Sequence, residues 1–220
     1  GLVSMLDFRY QEGSILDPGS AQSILGYSAR ALAFLFLVIG FGIKLPAVPV
    51  HTWLPDAHVE APTPISVVLA GLLLKVGAFG FLRFAYGIFP DVAHQYIDLV
   101  AIIGVLSILY GGLNALAQRD LKRMVAYSSV SHMGFVLVGI ASLSIAGFSG
   151  SLFHMISHGL ISPALFLIAG VLYDRTGNRQ MENFSGLASK MPDYTFFMAI
   201  FFIAGLVLHG LSGLVGELMD

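Results

Sequence analysis

The 220-residue sequence has no cysteine, and Asp, Glu, Lys and Arg together make up only 11% of it. Without cysteine there is no thiol nucleophile, no cysteine-ligated cluster and no disulfide framework. Soluble domains carry about 25% charged residues, so these charges are too few to cover a globular surface of this size. A net charge of −2 excludes a basic nucleic-acid binder on bulk charge. No Walker loop, dinucleotide fingerprint or nucleophile elbow occurs, so nothing implies a bound nucleotide or a redox cofactor. The chain also lacks an initiator methionine and a signal-peptide pattern, and it ends at "GELMD" directly after an apolar run. It is therefore expected to be part of a longer membrane protein.

What the chain has is apolar length, with 56% hydrophobic residues. Crossing a bilayer core takes about 20 mostly apolar helical residues. Six stretches reach that length: 28–60 (interrupted), 64–89, 96–117, 123–143, 149–173 and 194–219. The first 27 residues, with "DFRYQEGSILDPGS", are polar and turn-rich and read as an external loop. The fold class expected is an all-α polytopic membrane protein of about six transmembrane helices, two of them discontinuous.

The loop charges set the orientation. "QRDLKR" (118–123) and "DRTGNRQMENFSGLASKMPDY" (174–194) each carry three Lys or Arg. The alternate links, "PDVAHQ" (90–95) and the short one near Ser144, carry none. Six spans put both basic links on one side, the cytoplasmic side or its equivalent. Lys122 and Arg123, at the edge of a span, fit this ordinary role.

Two spans read as broken. "GIKLPAVPVHTWLPDAH" contains Pro46, Pro49 and Pro55, each of which removes a backbone donor. "AGLVLHGLSGLVGE" contains Gly205, Gly210, Gly213 and Gly216. Irregular backbone survives at membrane depth only against protein or a water-lined cavity. Paired interrupted helices point to an inverted-repeat transporter and its ion path.

Several ionisable residues stand inside these spans. Lys75, in "LAGLLLKVGAFGFL", is the one charge between Ala61 and Leu82. A lysine at a helix centre costs about 2.5–3.5 kcal/mol on insertion scales. It is either a structural ion pair with another helix or a proton site, since a desolvated lysine exchanges its proton in response to small changes of field. Lys44 stands at the first break, where it could cap the carbonyl end of the first half-helix or exchange protons along a hydrated path. Glu217 is the one acid in the last apolar run, either a helix-end carboxylate near water or one end of a relay.

His51, His58, His132, His154 and His158 lie within or at the edges of spans, each either a satisfied core residue or a link in a polar chain. His154 and His158 have the i, i+4 spacing of a metal pair, but no third ligand is near in sequence, so no metal is expected. Ser128, Ser129, Ser131 and Ser157 could bond across helices or hold water.

The runs "KLPAVPVHTWLPDAHVEAPTPISVVLAGLLLKVGAFGFLRF", "LKRMVAYSSVSHMGFVLVGI" and "FHMISHGLISPALFLIAGVLYDRTGNRQM" resemble the antiporter-like subunits of respiratory complex I. The match is to the type called subunit M in bacteria and subunit 4 in mitochondria, and it covers about Lys44 to Glu217. Subunits of multi-subunit sodium/proton antiporters and membrane-bound hydrogenases share a looser version. The resemblance implies two inverted five-helix repeats, with residues 28–118 ending the first and starting the second, and 119–220 continuing the second. It implies a proton relay of Lys44, Lys75 and Glu217, with His51, His132 and His158 as links. It implies no cofactor in this chain, with redox chemistry in partner subunits. The expected partners are other membrane subunits of complex I, including neighbouring antiporter-like subunits, and the lipid bilayer. The expected place is a bacterial inner membrane or its equivalents, the mitochondrial inner and thylakoid membranes. The alternatives are a subunit of a sodium/proton antiporter and a non-conducting scaffold. One departure stands out: His209 occupies the place of the family's proline in the second broken helix, which leaves that break to Gly210 and Gly213.

Overall fold

Helix α1 (Ala29–Lys44) stops where the prolines begin, and the chain turns through residues 45–52 before resuming as α2 (Trp53–Glu60). The computed structural model describes residues 29–205, and among these residues the chain is helical, with no named strand. Pro55 falls in the first turn of α2, where a missing N–H costs nothing because no intrahelical acceptor exists for it. Two hydrogen bonds hold the break against the rest of the protein. Val48 N–H donates to Ser107 Oγ at 2.9 Å, and the Trp53 indole N–H donates across the break to the Ile43 carbonyl at 2.8 Å. This is the interrupted first span read from the sequence.

Among the described residues, four helices are long and apolar enough to cross a membrane. They are α3 (Thr63–Tyr86), α5 (Ile97–Leu116), α6 (Leu121–Ala141) and α7 (Ile145–Thr176), with a short α4 (Pro90–Gln95) between the first two. At 1.5 Å per residue these run from about 30 to about 48 Å, so α7 overshoots the hydrocarbon core. Asp120 caps α6 by accepting from the Arg123 N–H, and Ser144 caps α7 through the Gly147 N–H. Gly177, with φ +66°, ends α7 in the left-handed conformation that glycine adopts without steric cost. A short helix, α8 (Leu187–Lys190), leads into α9 (Pro192–Gly205), the described part of the last span.

The bundle is apolar outside and carries buried polar groups within. Ile65, Val68, Leu72, Val76 and Phe79 line an exposed face of α3 at helical spacing. His51, His58, His154, His158, Lys122 and six serines are buried. Helices α5 and α6 meet through small residues: a methyl group at Gly134 would sit 2.7 Å from the Gly104 carbonyl oxygen.

The two basic links lie together, as the loop charges imply. Leu121 N–H donates to the Arg179 carbonyl at 3.0 Å, and Met181 N–H to the Arg119 carbonyl at 2.9 Å. At the opposite end, Arg30 pairs with Asp91 of α4 at 3.4 Å. Helices α3, α5, α6 and α7 therefore alternate in direction between a basic surface and one where Arg30 is balanced by Asp91.

Candidate proton-transfer site

The site forms where two helices are locally loosened. Residues Leu69–Leu73 of α3 wind as a π-helical turn, in which backbone bonds skip one residue further and a carbonyl becomes available for another donor. Side chains on a helix lean toward its N-terminus, and Lys75 follows that lean: its Nζ donates to the Ala70 carbonyl. On α7, Pro163 has no N–H to give the Gly159 carbonyl four residues earlier. That carbonyl faces α3, since a methyl group at Gly71 would lie 3.7 Å from it and 3.1 Å from the Pro163 ring.

Between these two loosened turns, Lys75 Nζ lies 2.7 Å from His158 Nδ1. The lysine supplies only donors when charged, so the imidazole nitrogen facing it is the acceptor, and the other ring nitrogen carries the proton. That other nitrogen, Nε2, is buried without a partner among the described residues. The rings of His132 and His158 are 5.4 Å apart, as are those of His132 and His154. Three histidines thus extend the lysine pair across α6 and α7. Among the described residues no group of three or more His, Cys, Asp or Glu is arranged to hold a metal ion.

A cavity of about 600 Å³ adjoins this cluster, with His132, His158, Ser128, Ser131 and Ser162 among its lining. Ser129 and Ser162 share a hydrogen bond of 3.1 Å between α6 and α7. Hydroxyls and imidazoles are the donors and acceptors that water needs in an otherwise apolar space.

Lys44 ends α1 at the break and is exposed, with no acidic side chain within ion-pair distance among the described residues. Its backbone is close to the site, because Gly77, two residues after Lys75, packs against the break. A methyl group there would come within 2.7 Å of the Leu45 nitrogen and 3.0 Å of Lys44 Cβ. His51 is buried beside the break, with its ring 4.9 Å from that of Tyr110 in an edge-to-face contact. Glu217 and His209 lie outside the described residues.

A second group of charges, which the sequence reading left as ordinary loop cations, holds the positive-side end of α2. Lys122 is buried and donates to the Ala61 carbonyl at 2.9 Å. Arg179 donates to the Val59 carbonyl at 2.8 Å, and Arg123 pairs with Asp56 at 2.6 Å. Asp120 balances Arg179 at 3.3 Å. Cations at the carbonyl end of a helix satisfy both its orphan acceptors and its dipole. The signal for Lys122 was present: it shares the buried face of α6 with Val125, Ala126, Ser129 and Met133 at i+3, i+4, i+7 and i+11.

A family model described as NADH:quinone oxidoreductase/Mrp antiporter, TM, matches residues 5–219. The chain belongs to this family. Within it, the chain is 47% identical over 199 residues to NAD(P)H-quinone oxidoreductase chain 4 of Prochlorococcus marinus strain MIT 9313, covering 90% of this chain and 35% of that one. It is 47% identical over 192 residues to NADH-quinone oxidoreductase subunit M of Rickettsia conorii, covering 87% and 39%. The chain therefore spans little more than a third of the length of these curated relatives. A chain of respiratory complex I from Thermus thermophilus superposes with a TM-score of 0.83 at 36% identity, covering 98% of this chain and 47% of that one. A chain of the Mrp complex from Dietzia sp. DQ12-45-1b shares the fold, with a TM-score of 0.84 at 24% identity over 99% of this chain and 41% of that one. The protein is thus an antiporter-like membrane chain of the quinone oxidoreductase/antiporter family, all-α and polytopic.

Proposed function

We propose that this chain is part of a proton-translocating subunit of NADH–quinone oxidoreductase, with no redox centre of its own. The observation that carries the reading is the contact of Lys75 Nζ with His158 Nδ1 at 2.7 Å, halfway along a membrane-spanning helix. A half-buried cation that faces an imidazole, and no carboxylate among the described residues, has a partner able to take its proton. An ion pair built only for structure needs an acid there instead.

In this reading Lys44 exchanges charge at the first break and passes protons by way of His51 and water to Lys75. From Lys75 the proton moves to His158, onward past His132, and toward Glu217. Repulsion between neighbouring protonated sites couples the steps, since charges interact more strongly as the dielectric falls. NADH oxidation and quinone reduction belong to partner subunits, and the energy arrives through neighbouring membrane subunits. Residues 28–118 close one inverted repeat and open the next, which 119–220 continues, with 1–27 outside the membrane. The membrane is a bacterial inner membrane or its mitochondrial or thylakoid equivalent.

A sodium/proton antiporter subunit would use the same relay, and the family description names both kinds of protein. Relatives at 45–48% identity are named as quinone oxidoreductase chains, which favours the first. The test is Lys75→Ala in the full-length subunit within its assembled complex. Protons pumped per NADH oxidised should fall, with assembly retained. Normal assembly, oxidation and pumping together would remove Lys75 from any relay and favour a scaffold.

A further inference from the structure

The faces by which α6 and α7 meet carry serine and histidine in register. On α7, Ser151, His154, His158 and Ser162 fall at i, i+3, i+7 and i+11, and all four are buried. On α6, Ser129, His132 and Val136 fall at i, i+3 and i+7. The two helices run in opposite directions, so serines stand at both ends of the histidine cluster. Toward the positive side, Ser162 and Ser129 share their bond of 3.1 Å. Toward the opposite side, Ser151 Oγ donates to the Val136 carbonyl at 3.0 Å.

These two ties flank different pairs of rings. The first stands one turn from His158 and His132, the pair on the relay. The second stands one turn from His154 and His132, and His154 takes no part in the relay. Ser129 spends its one hydrogen on the Val125 carbonyl at 3.1 Å, so Ser162 is the donor between the serines. Removing the Ser162 hydroxyl therefore breaks the tie and leaves the Ser129 donor paired.

Helices in lipid have no hydrophobic force that picks one register, so close packing and interhelical hydrogen bonds set it. Proton passage between two rings depends on their separation, and a displacement of about 1 Å can cost about a hundredfold in rate. We propose that Ser162 and Ser129 are positioning residues that hold His158 at the distance from His132 at which a proton passes. The inference rests on the proton-transfer reading of Lys75 and His158. In that reading Lys75 Nζ gives a proton to His158 Nδ1 while the proton on Nε2 leaves toward His132. The serines touch neither proton and act through the spacing of α6 and α7.

The test uses the full-length subunit in its assembled complex, with Ser162→Ala, Ser162→Thr, Ser129→Ala and Ser151→Ala set beside Lys75→Ala. Coupled NADH oxidation, its solvent deuterium isotope effect and protons pumped per NADH are measured for each. The proposal expects Ser162→Ala to oxidise NADH about tenfold more slowly, with a larger isotope effect, as a proton step comes to limit turnover. Threonine keeps the hydroxyl, and the cavity that Ser162 lines has room for its methyl group, so Ser162→Thr recovers both values. Ser151→Ala removes a similar buried bond between the same helices, yet keeps the wild-type rate and isotope effect. Equal slowing in Ser162→Ala and Ser151→Ala, or no recovery in Ser162→Thr, overturns the proposal. Wild-type behaviour in Ser162→Ala, with pumping lost in Lys75→Ala, overturns it too and leaves the Lys75 reading standing. Wild-type pumping in Lys75→Ala overturns both. If neither Ser162→Ala nor Ser129→Ala assembles, the bond serves folding alone and the proposal falls.

Discussion

Two lysines inside the same bundle are held in opposite ways. Lys122, at the positive edge of α6, is tied to a backbone carbonyl and surrounded by paired charges from Arg179, Asp120, Arg123 and Asp56. Lys75, in mid-span, touches one carbonyl of a widened turn and one imidazole. A backbone carbonyl cannot take a proton, so Lys122 can only hold the end of α2. An imidazole can, so Lys75 has a chemical partner. The surrounding backbone follows the same division. Around Lys122 the helix ends are capped and the two basic loops are bonded to each other. Around Lys75 a π-helical turn supplies the carbonyl that the lysine takes, and on the facing helix Pro163 withholds an N–H from the Gly159 carbonyl. Placing a lysine inside the bundle therefore says little about its job until the acceptor is known.

The comparison breaks most directly at its pinned end. Lys122→Met leaves the Ala61 carbonyl without its donor, a loss of about 1–3 kcal/mol for a buried acceptor. Thermal unfolding of the purified subunit or complex should move down accordingly, while complexes that assemble keep their protons per NADH. A lost ratio with unchanged stability would place Lys122 in the relay rather than the clamp. A smaller change sharpens the other side. Pro163→Ala returns an N–H to the Gly159 carbonyl and adds one backbone hydrogen bond, a gain of about 0.5–1.5 kcal/mol. Thermal stability should hold or rise slightly, and coupled NADH oxidation should slow as the turn beside His158 stiffens. A faster variant would show that the turn loosened by Pro163 is not used.

Much of this division is legible in the sequence, but unevenly. The spans follow from apolar length, and the break between α1 and α2 from Pro46 and Pro49, because both depend on local chemistry. The shared side of the basic loops follows from charge counting, and the bonds between residues 119–121 and 179–181 agree with it. The match to complex I subunits rests on long runs and holds across the chain. Lys75 stands out because a lone cation in an apolar run is costly anywhere. Its pairing with His158 does not stand out, since 83 residues separate them and only the crossing of α3 and α7 joins them. The clamp on α2 is hidden for the same reason: Lys122 and Arg123 have the composition of a loop edge, and their acceptors lie on a different helix. The π-helical turn before Lys75 has no proline or polar residue to announce it. Glu217 and His209 fall outside the described residues, so the second break stands where the sequence left it.

The central claim is that Lys75 and His158 work as one unit, and a double-mutant cycle tests it most directly. Protons pumped per NADH oxidised would be measured for Lys75→Ala, His158→Leu and the pair together in the assembled complex. Residues that act as a unit are strongly non-additive. The account predicts that each single variant loses pumping and that the double variant is no worse than the poorer single one. Independent, multiplying losses would contradict it, as would normal pumping in either single variant.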